Sequence, residues 1–449
     1  MSSSHGRREF LRRALLAGTA LPLSGSLLGQ ESERERKRRE REERRKQAKK
    51  DPASERLNLG VIAVAGRGGD NLAEVGSQNI VAICDIDRKH LDAARARHPD
   101  AKAYTDYRRV LDHTDLDAVV VSTPDHMHAI VACAAMRAGL DVYCEKPLAH
   151  SVREVRTMRD LAAEKKRVTQ MGTQIHAGEN YHRVVEIVRS GILGKIPRVH
   201  VWQDSRPIPG KRVADGAPPE HIDYDLWLGP APYRPFHPSH FHFNWRYWFD
   251  FGGGAFADMA CHYMDLPHWA LGIRDPLTIE ARGEKDYEGD NDVPGKLRVD
   301  YRYAAPADGI GKDTPVHLTY YQGGLRPEGA EIYERPSAIL FEGEKGRLLA
   351  DYGSHRYYFD EKRDDPPPPP RTIPASPGHQ REWIEAVRSR GTTSCNFDYS
   401  GALAETVLLG NVAYRSGKKL EWDAKSARVT NAPEAARFLE REYRKGWSL

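Results

Sequence analysis

The sequence predicts an α/β protein whose first folded half is a doubly wound parallel sheet. Three observations carry this. Runs that are apolar throughout, residues 61–65, 80–84, 117–123 and 141–144, alternate with amphipathic stretches such as 87–98 and 126–139. Strands without a polar face belong to a sheet covered by helices on both sides. The first run enters a glycine-rich turn, "LGVIAVAGRGGDNL" (59–72), and an acid, Asp85, closes the second run about 20 residues later.

Each element has a physical reading. A dinucleotide-binding turn reads G-x-G-x-x-G, and here Ala63 and Ala65 replace the first two glycines while Gly68 keeps the third. Ala63 lacks glycine's freedom at positive φ, and the Ala65 methyl crowds a pyrophosphate that approaches at the usual distance. Gly66, Gly68 and Gly69 still allow the turn to open a helix toward a phosphate. Asp85 sits where a carboxylate accepts hydrogen bonds from an adenosine ribose diol and repels a 2′-phosphate, which favours NAD over NADP. A helix cap is the plain alternative for such an acid, with Asp87 close by for that role.

The first fifty residues differ from the rest. They hold 15 Lys/Arg against 7 Asp/Glu in a chain of net charge +4, so the remainder is mildly acidic and has no basic footprint for nucleic acid. Arg7-Arg8 precede an apolar stretch over 14–28 that is shorter than the roughly 20 residues of a membrane span. The pattern resembles a twin-arginine export signal over 1–30, which puts the protein in the periplasm, tethered if the signal stays uncleaved. Residues 31–55 have almost no apolar side chain and read as a charged, solvated linker, with a nucleic-acid arm as the alternative that its glutamates weaken. The five cysteines are scattered without a C-x-x-C pair and read as buried free thiols, which suits folding before export.

From residue 57 onward the chain resembles the Gfo/Idh/MocA oxidoreductases. The resemblance rests on "STPDHMHA" (122–129), "EKPL" (145–148), "MGTQ" (171–174), "YDLWLGPAPYRPF" (224–236), "FHFNWR" (241–246), "GGGAFADMACHYMD" (252–265), "EGEKGRLLADYG" (342–353) and residues 396–423. It implies a Rossmann domain over 56–175, a substrate and oligomerisation domain with a large, open, mostly antiparallel sheet over 176–430, and a C-terminal helix or tail over 431–449. Strand-like runs at 295–303, 315–324 and 337–353 agree. The "DDPPPPPR" segment (364–371) then reads as a stiff polyproline strap on the surface.

The resemblance also assigns roles. Lys146 corresponds to the catalytic lysine, its direction fixed by Glu145 and by a cis bond to Pro147. His262 is the acid/base and Asp258, four residues earlier on one helical face, is its aid. Ala63, Ala65, Gly66, Arg67, Gly68, Asp85, Ser122, Thr123, Pro124, His126, His128, Glu145, Lys146 and Gln174 are expected around the cofactor. Trp245, Arg246, His242 and Asp265 are expected to meet the substrate. Without the resemblance, His262 reads as a core histidine, and Trp245 and Trp248 as core-filling rings. His237, His240 and His242 have no adjacent carboxylate or thiolate, so no metal is expected.

Export narrows the reaction. An exported dehydrogenase without free NAD turns over once unless its cofactor is retained and regenerated in place. The reading is therefore an NAD(P)-dependent oxidoreductase, with NAD preferred, acting on a sugar, polyol or glycoside. A redox-neutral NAD-dependent glycosidase is the alternative, although the Tyr-Pro-Thr-His stretch of that group is absent. A carbohydrate-binding scaffold without nucleotide is the third reading, and the family implies a homo-oligomer.

Overall fold

The computed structural model describes residues 56–212, 216–306, 311–359 and 365–449, together with Arg36, Arg39 and Glu43. The expected export signal over 1–30 and all but those three residues of the charged linker lie outside the described residues, as does Asp364 of the proline segment.

The first sheet is built as the apolar runs require. Strands β1 (Asn58–Ile62), β2 (Asn79–Cys84), β3 (Lys102–Tyr104), β4 (Ala118–Val121), β5 (Asp141–Cys144) and β6 (Thr169–Met171) lie in the order β3-β2-β1-β4-β5-β6. Every neighbouring pair is parallel. The crossovers are α1 (Arg67–Glu74), α2 (Arg88–Arg97), α3 (Tyr107–Leu111), α4 (Asp125–Arg137) and α5 (Val152–Lys165). Asp87 caps α2 by accepting the Lys89 N–H, and Ser151 with Glu154 forms a capping box on α5. Strand β1 lies three residues upstream of the apolar run, because Ala63 at φ +66° ends the extended conformation.

The second half carries α6 (Glu179–Arg189), β7 (Arg198–Gln203), α7 (Tyr224–Leu228), α8 (Gly254–Tyr263) and α9 (Asp265–Leu271). Then follow β8 (Pro276–Glu284), β9 (Lys296–Tyr303), β10 (Val316–Gln322), β11 (Ala338–Gly343), β12 (Gly346–Ala350) and β13 (His355–Tyr358). Two helices, α10 (His379–Ser389) and α11 (Phe397–Ser416), and the short strands β14 (Leu420–Asp423) and β15 (Arg428–Val429) complete it. The nine-stranded sheet runs β13-β12-β11-β7-β10-β9-β8-β14-β15, and only β7 and β10 pair in parallel. Val199, Val201, Val299, Tyr301, Leu318 and Tyr320 alternate onto its buried face and join one core with α4, α5 and α11.

Some elements cross the expected boundaries. Helix α10 buries Trp383, Ile384 and Val387 against Leu59, Val61 and Tyr143 of the first domain. The proline segment is an irregular strap fixed on α6, where Arg183 donates to the Pro369 carbonyl at 2.5 Å and Glu186 accepts the Thr372 and Ile373 N–H groups. The C-terminus has one 3₁₀ turn (Pro433–Phe438) and then an extended tail. That tail is tied to the first domain where Arg441 reaches Glu154, and to the second where Arg444 reaches the Gly229 carbonyl. All five cysteines are free and buried. Among the described residues, no helix is long and apolar enough to cross a membrane.

Candidate active site

A cavity of about 550 Å³ opens at the carboxyl ends of the parallel strands. It runs from Asp85 and His90 at one end, past Ala63, Ala65, Gly66, Ser122 and Thr123, to Lys146, Gln174, Asp258 and His262 at the other. Asp85 follows β2 and Lys146 follows β5, three strand spacings or about 14 Å apart.

The turn holds its shape despite the alanines. Ala63 takes the left-handed conformation that glycine supplies elsewhere, and its N–H donates to the Cys84 carbonyl at 2.8 Å. Gly68 does not face the cavity. A Cβ there would stand 2.1 Å from the Ala63 carbonyl oxygen, so this glycine lets α1 pack against the end of β1. Asp85 accepts from the Val64 N–H at 3.0 Å and the Asp87 N–H at 3.0 Å. Burial pushes its carboxyl up, against those two N–H groups.

Glu145 organises the middle. It is buried and accepts from Asn71 at 2.9 Å, Gln174 at 2.7 Å and Arg67 Nε at 3.2 Å. Arg67 and Gln174 thus line the cavity while anchored on this carboxylate. A Cβ on Gly172 would stand 2.5 Å from Glu145 Oε1, which explains the glycine of "MGTQ". Asn71 also bonds Ser122 at 3.0 Å and receives the Gln380 amide at 3.1 Å. Sequence reasoning missed Asn71 and Gln380; Asn71 stands four residues after Arg67 on the same face of α1, which was the available signal.

At the far end Lys146, joined by a cis bond to the following Pro147, donates to the Asp258 carbonyl at 3.0 Å and pairs with the Asp258 carboxylate. Arg246 Nε lies 3.2 Å from the same carboxylate. Burial would raise the Asp258 carboxyl, but Lys146 and Arg246 outweigh it and hold the group far below the usual range. The Arg246 guanidinium lies over the rings of Phe243 and Trp245, 4.4 and 4.5 Å from their centroids. Trp245 lines the cavity, whereas Trp248 is fully buried in the core. His262 is kept neutral, first by burial and then by the Lys146 charge, its pKa lowered to about 3. Among the described residues its Nδ1 has no hydrogen-bond partner, nor has Thr123 Oγ1. Asp125, unremarked in the sequence, also lines the cavity, and burial raises its carboxyl to about 8.

Besides Gly68, five expectations need correction. Asp258 serves Lys146 and Arg246 rather than orienting the His262 ring, because the two cations lie closer to its carboxylate. Asp265 is fully buried, bonded to His176 at 2.8 Å and to the Tyr399 hydroxyl at 2.7 Å. The helix restarts at Asp265, two residues before Pro267, and so turns this side chain off the Asp258–His262 face. His126 is buried with Nε2 on the Trp227 carbonyl at 2.8 Å. His128 spans the Thr123 and Pro147 carbonyls, each at 2.7 Å, and so stitches the loops after β4 and β5 instead of touching a cofactor. His242 lies at the Asp85 end of the cavity, bonded to Asp87 at 3.0 Å, away from Lys146.

Two family models match this chain. "Oxidoreductase family, NAD-binding Rossmann fold" covers residues 58–173, and "Oxidoreductase family, C-terminal alpha/beta domain" covers 182–449. The chain belongs to the Gfo/Idh/MocA oxidoreductase family. Among its relatives, inositol 2-dehydrogenase of Salmonella typhimurium is 32% identical over 152 residues, 32% of this chain and 45% of that protein. A glycosyl hydrolase family 109 protein of Shewanella sp. (strain ANA-3) is 29% identical over 157 residues, 32% of this chain and 34% of that one. The matches thus span less than half of these relatives. The solved structure of the WlbA dehydrogenase from Bordetella pertussis, in complex with NADH and UDP-GlcNAcA, shares the fold. Its TM-score is 0.61 at 18% identity, over 82% of this chain and 99% of that one.

For this Gfo/Idh/MocA member the cavity suits the family's NAD. A buried carboxylate stands at one end, a glycine-bearing turn at the middle, and unpartnered Thr123 Oγ1 and His262 Nδ1 beyond.

Proposed function

We propose that this protein oxidises and reduces sugar-class substrates by hydride transfer with a retained NAD, after twin-arginine export to the periplasm. The single observation that carries this is the meeting of Lys146 with Asp258, and of His262 beside them, at the cavity end opposite Asp85. When bound, NAD supplies the hydride acceptor and donor. Lys146 holds the substrate hydroxyl oxygen and steadies its alkoxide character, while Asp258 keeps the ammonium aimed. His262, uncharged and with a free Nδ1, takes the hydroxyl proton as the carbon loses its hydride. Burial makes this imidazole a weak base, so the Lys146 charge must acidify the hydroxyl for the transfer to proceed. Returning proton and hydride to a second carbonyl closes the cycle without free nucleotide. The Arg246–Trp245 stack offers a charged edge beside an apolar ring face, suited to a sugar's hydroxyls and C–H face. The inositol dehydrogenase and WlbA likenesses support a polyol or sugar substrate.

Assembly through the open sheet is part of the proposal. Arg198, Arg298, Asp300, Arg302 and His317 stand on the face opposite the core, partly or fully exposed in the single chain. They are already ordered there, with Asp300 bonded to His317 at 2.8 Å and to Thr319 at 2.7 Å.

The likeness to the family 109 protein favours one second reading, a redox-neutral glycosidase. Denatured protein should release NAD on chromatography, and a suitable sugar pair should yield aldonate plus alditol. Phenol release from aryl glycosides without net NADH selects the glycosidase. Protein that is empty and fails to bind NAD selects the scaffold. Lys146→Met should cut turnover at least about 100-fold with nucleotide still bound. Full activity in both Lys146→Met and His262→Ala would end the assignment of roles.

A further inference from the structure

At the Asp85 end of the cavity, a second cluster lies away from Lys146, Asp258 and His262. Asp87 is buried after β2, and its two oxygens divide their work. Oδ1 caps α2 by accepting the Lys89 N–H at 2.8 Å. Oδ2 faces three imidazoles: His242 Nε2 at 3.0 Å, His221 Nε2 at 3.8 Å and His90 Nδ1 at 3.9 Å. The latter two distances are too long for hydrogen bonds. One ligand atom each from Asp87, His90 and His242 lies within 4.8 Å of the others, and the His90 and His242 ring centroids are 4.7 Å apart.

We propose that Asp87, His90 and His242 bind a divalent transition metal of the Zn²⁺ class, with a fourth position left to water. Ligands at about 2.1 Å around a tetrahedral ion stand about 3.4 Å from one another, close to the present spacings, so closure needs only small side-chain movements. Imidazole nitrogens with one carboxylate oxygen suit Zn²⁺, Co²⁺ or Ni²⁺ rather than Mg²⁺ or Ca²⁺. Asp87 is oriented by its helix cap, as metal-binding carboxylates are by their outer partners. The ligands come from both domains: Asp87 and His90 from the loop and helix after β2, His242 from the segment beyond β7. That contact is already made by backbone, with the Arg88 N–H on the His221 carbonyl at 2.8 Å and the Asp223 N–H on the Ile86 carbonyl at 2.9 Å. Because His90 and His242 also line the cavity, the ion would clip the two domains together beside Asp85 and narrow that end.

The test uses full-length, tag-free protein stripped with chelator and titrated with Co²⁺ and then Zn²⁺. The expected result is one Co²⁺ per chain with visible d–d absorption, its displacement by Zn²⁺, and a Zn²⁺-dependent rise in melting temperature. The double variant His90→Ala/His242→Ala should weaken binding at least about 100-fold and lose the temperature shift. Should that variant fail to fold, Asp87→Asn keeps the cap oxygen and should show the same loss. Absence of stoichiometric binding, or a Co²⁺ spectrum unchanged in either variant, overturns the proposal. The readout needs neither substrate nor nucleotide, so its failure leaves the catalytic reading untouched.

Discussion

Ala63 carries a backbone conformation that an L side chain adopts at a cost of about 1–2 kcal/mol. Replacing it by glycine removes that cost and adds an unfolded-state entropy penalty of about 0.5–1 kcal/mol. Ala63→Gly should therefore stabilise the protein by up to about 1.5 kcal/mol in denaturant unfolding; a loss of stability would mean that the methyl packs usefully. The turn was legible because its geometry is local: the third glycine must be small wherever a helix follows a strand so closely. The partners of Asp258 were not. A spacing of four residues aligns two side chains on a helix, but cations from residues 146 and 246, remote in sequence, decide which one the carboxylate serves. Asp87 and His242 illustrate the same limit, since 155 residues separate a carboxylate from its imidazole.

Between elements, α5 and α11 join the two halves through an ion pair in which Glu405 is buried and Arg156 is partly exposed. Arg156 grips Glu405 with both forks, at 2.8 and 2.6 Å, and the Trp422 indole N–H adds a third bond at 3.2 Å. Removing one partner of a fully buried pair costs about 3–5 kcal/mol, and less here because Arg156 reaches water. Glu405→Ala should lower the denaturation midpoint accordingly, and an unchanged midpoint would show the helices held by apolar packing alone. Strands announced themselves where both faces are apolar or where the alternation is strict, as in β9 and β10. Helix α10 has a clear apolar stripe of its own, yet nothing local says that the stripe covers β1 and β5 rather than the second sheet. The break between α8 and α9 could be read from Pro267, but its consequence for Asp265 required the rotation that only the fold supplies.

For the whole molecule, buried histidines set the response to acid. Burial holds His126, His240 and His262 down to about 3, and His268 and His379 to about 4. Each is neutral in the fold and protonated in the unfolded chain below about 6.5, so its stabilisation is present above that pH and fades as pH falls toward the folded value. His176, raised by Asp265 against its own burial, works the other way: its contribution is complete below 6.5 and is lost on alkalinisation. Asp125, raised to about 8 by burial, likewise disfavours the fold as pH climbs from about 4 through 8. Between pH 6.5 and 4 the His176 contribution is already complete and Asp125 alone opposes these five histidines, so the melting temperature should fall steadily over that range; a flat profile would mean that these rings find proton acceptors. The two-domain plan and the cavity's location followed from strand order and motif sequence, whereas the convergence of Lys146, Asp258 and His262 depends on the packing of α8 against the first domain. The most direct test of that convergence is a crystal structure with NAD added. The account predicts the adenosine ribose on Asp85 and the nicotinamide beside Lys146 and His262; a nucleotide in reverse orientation, or a cavity that stays closed to it at saturating NAD, would contradict it.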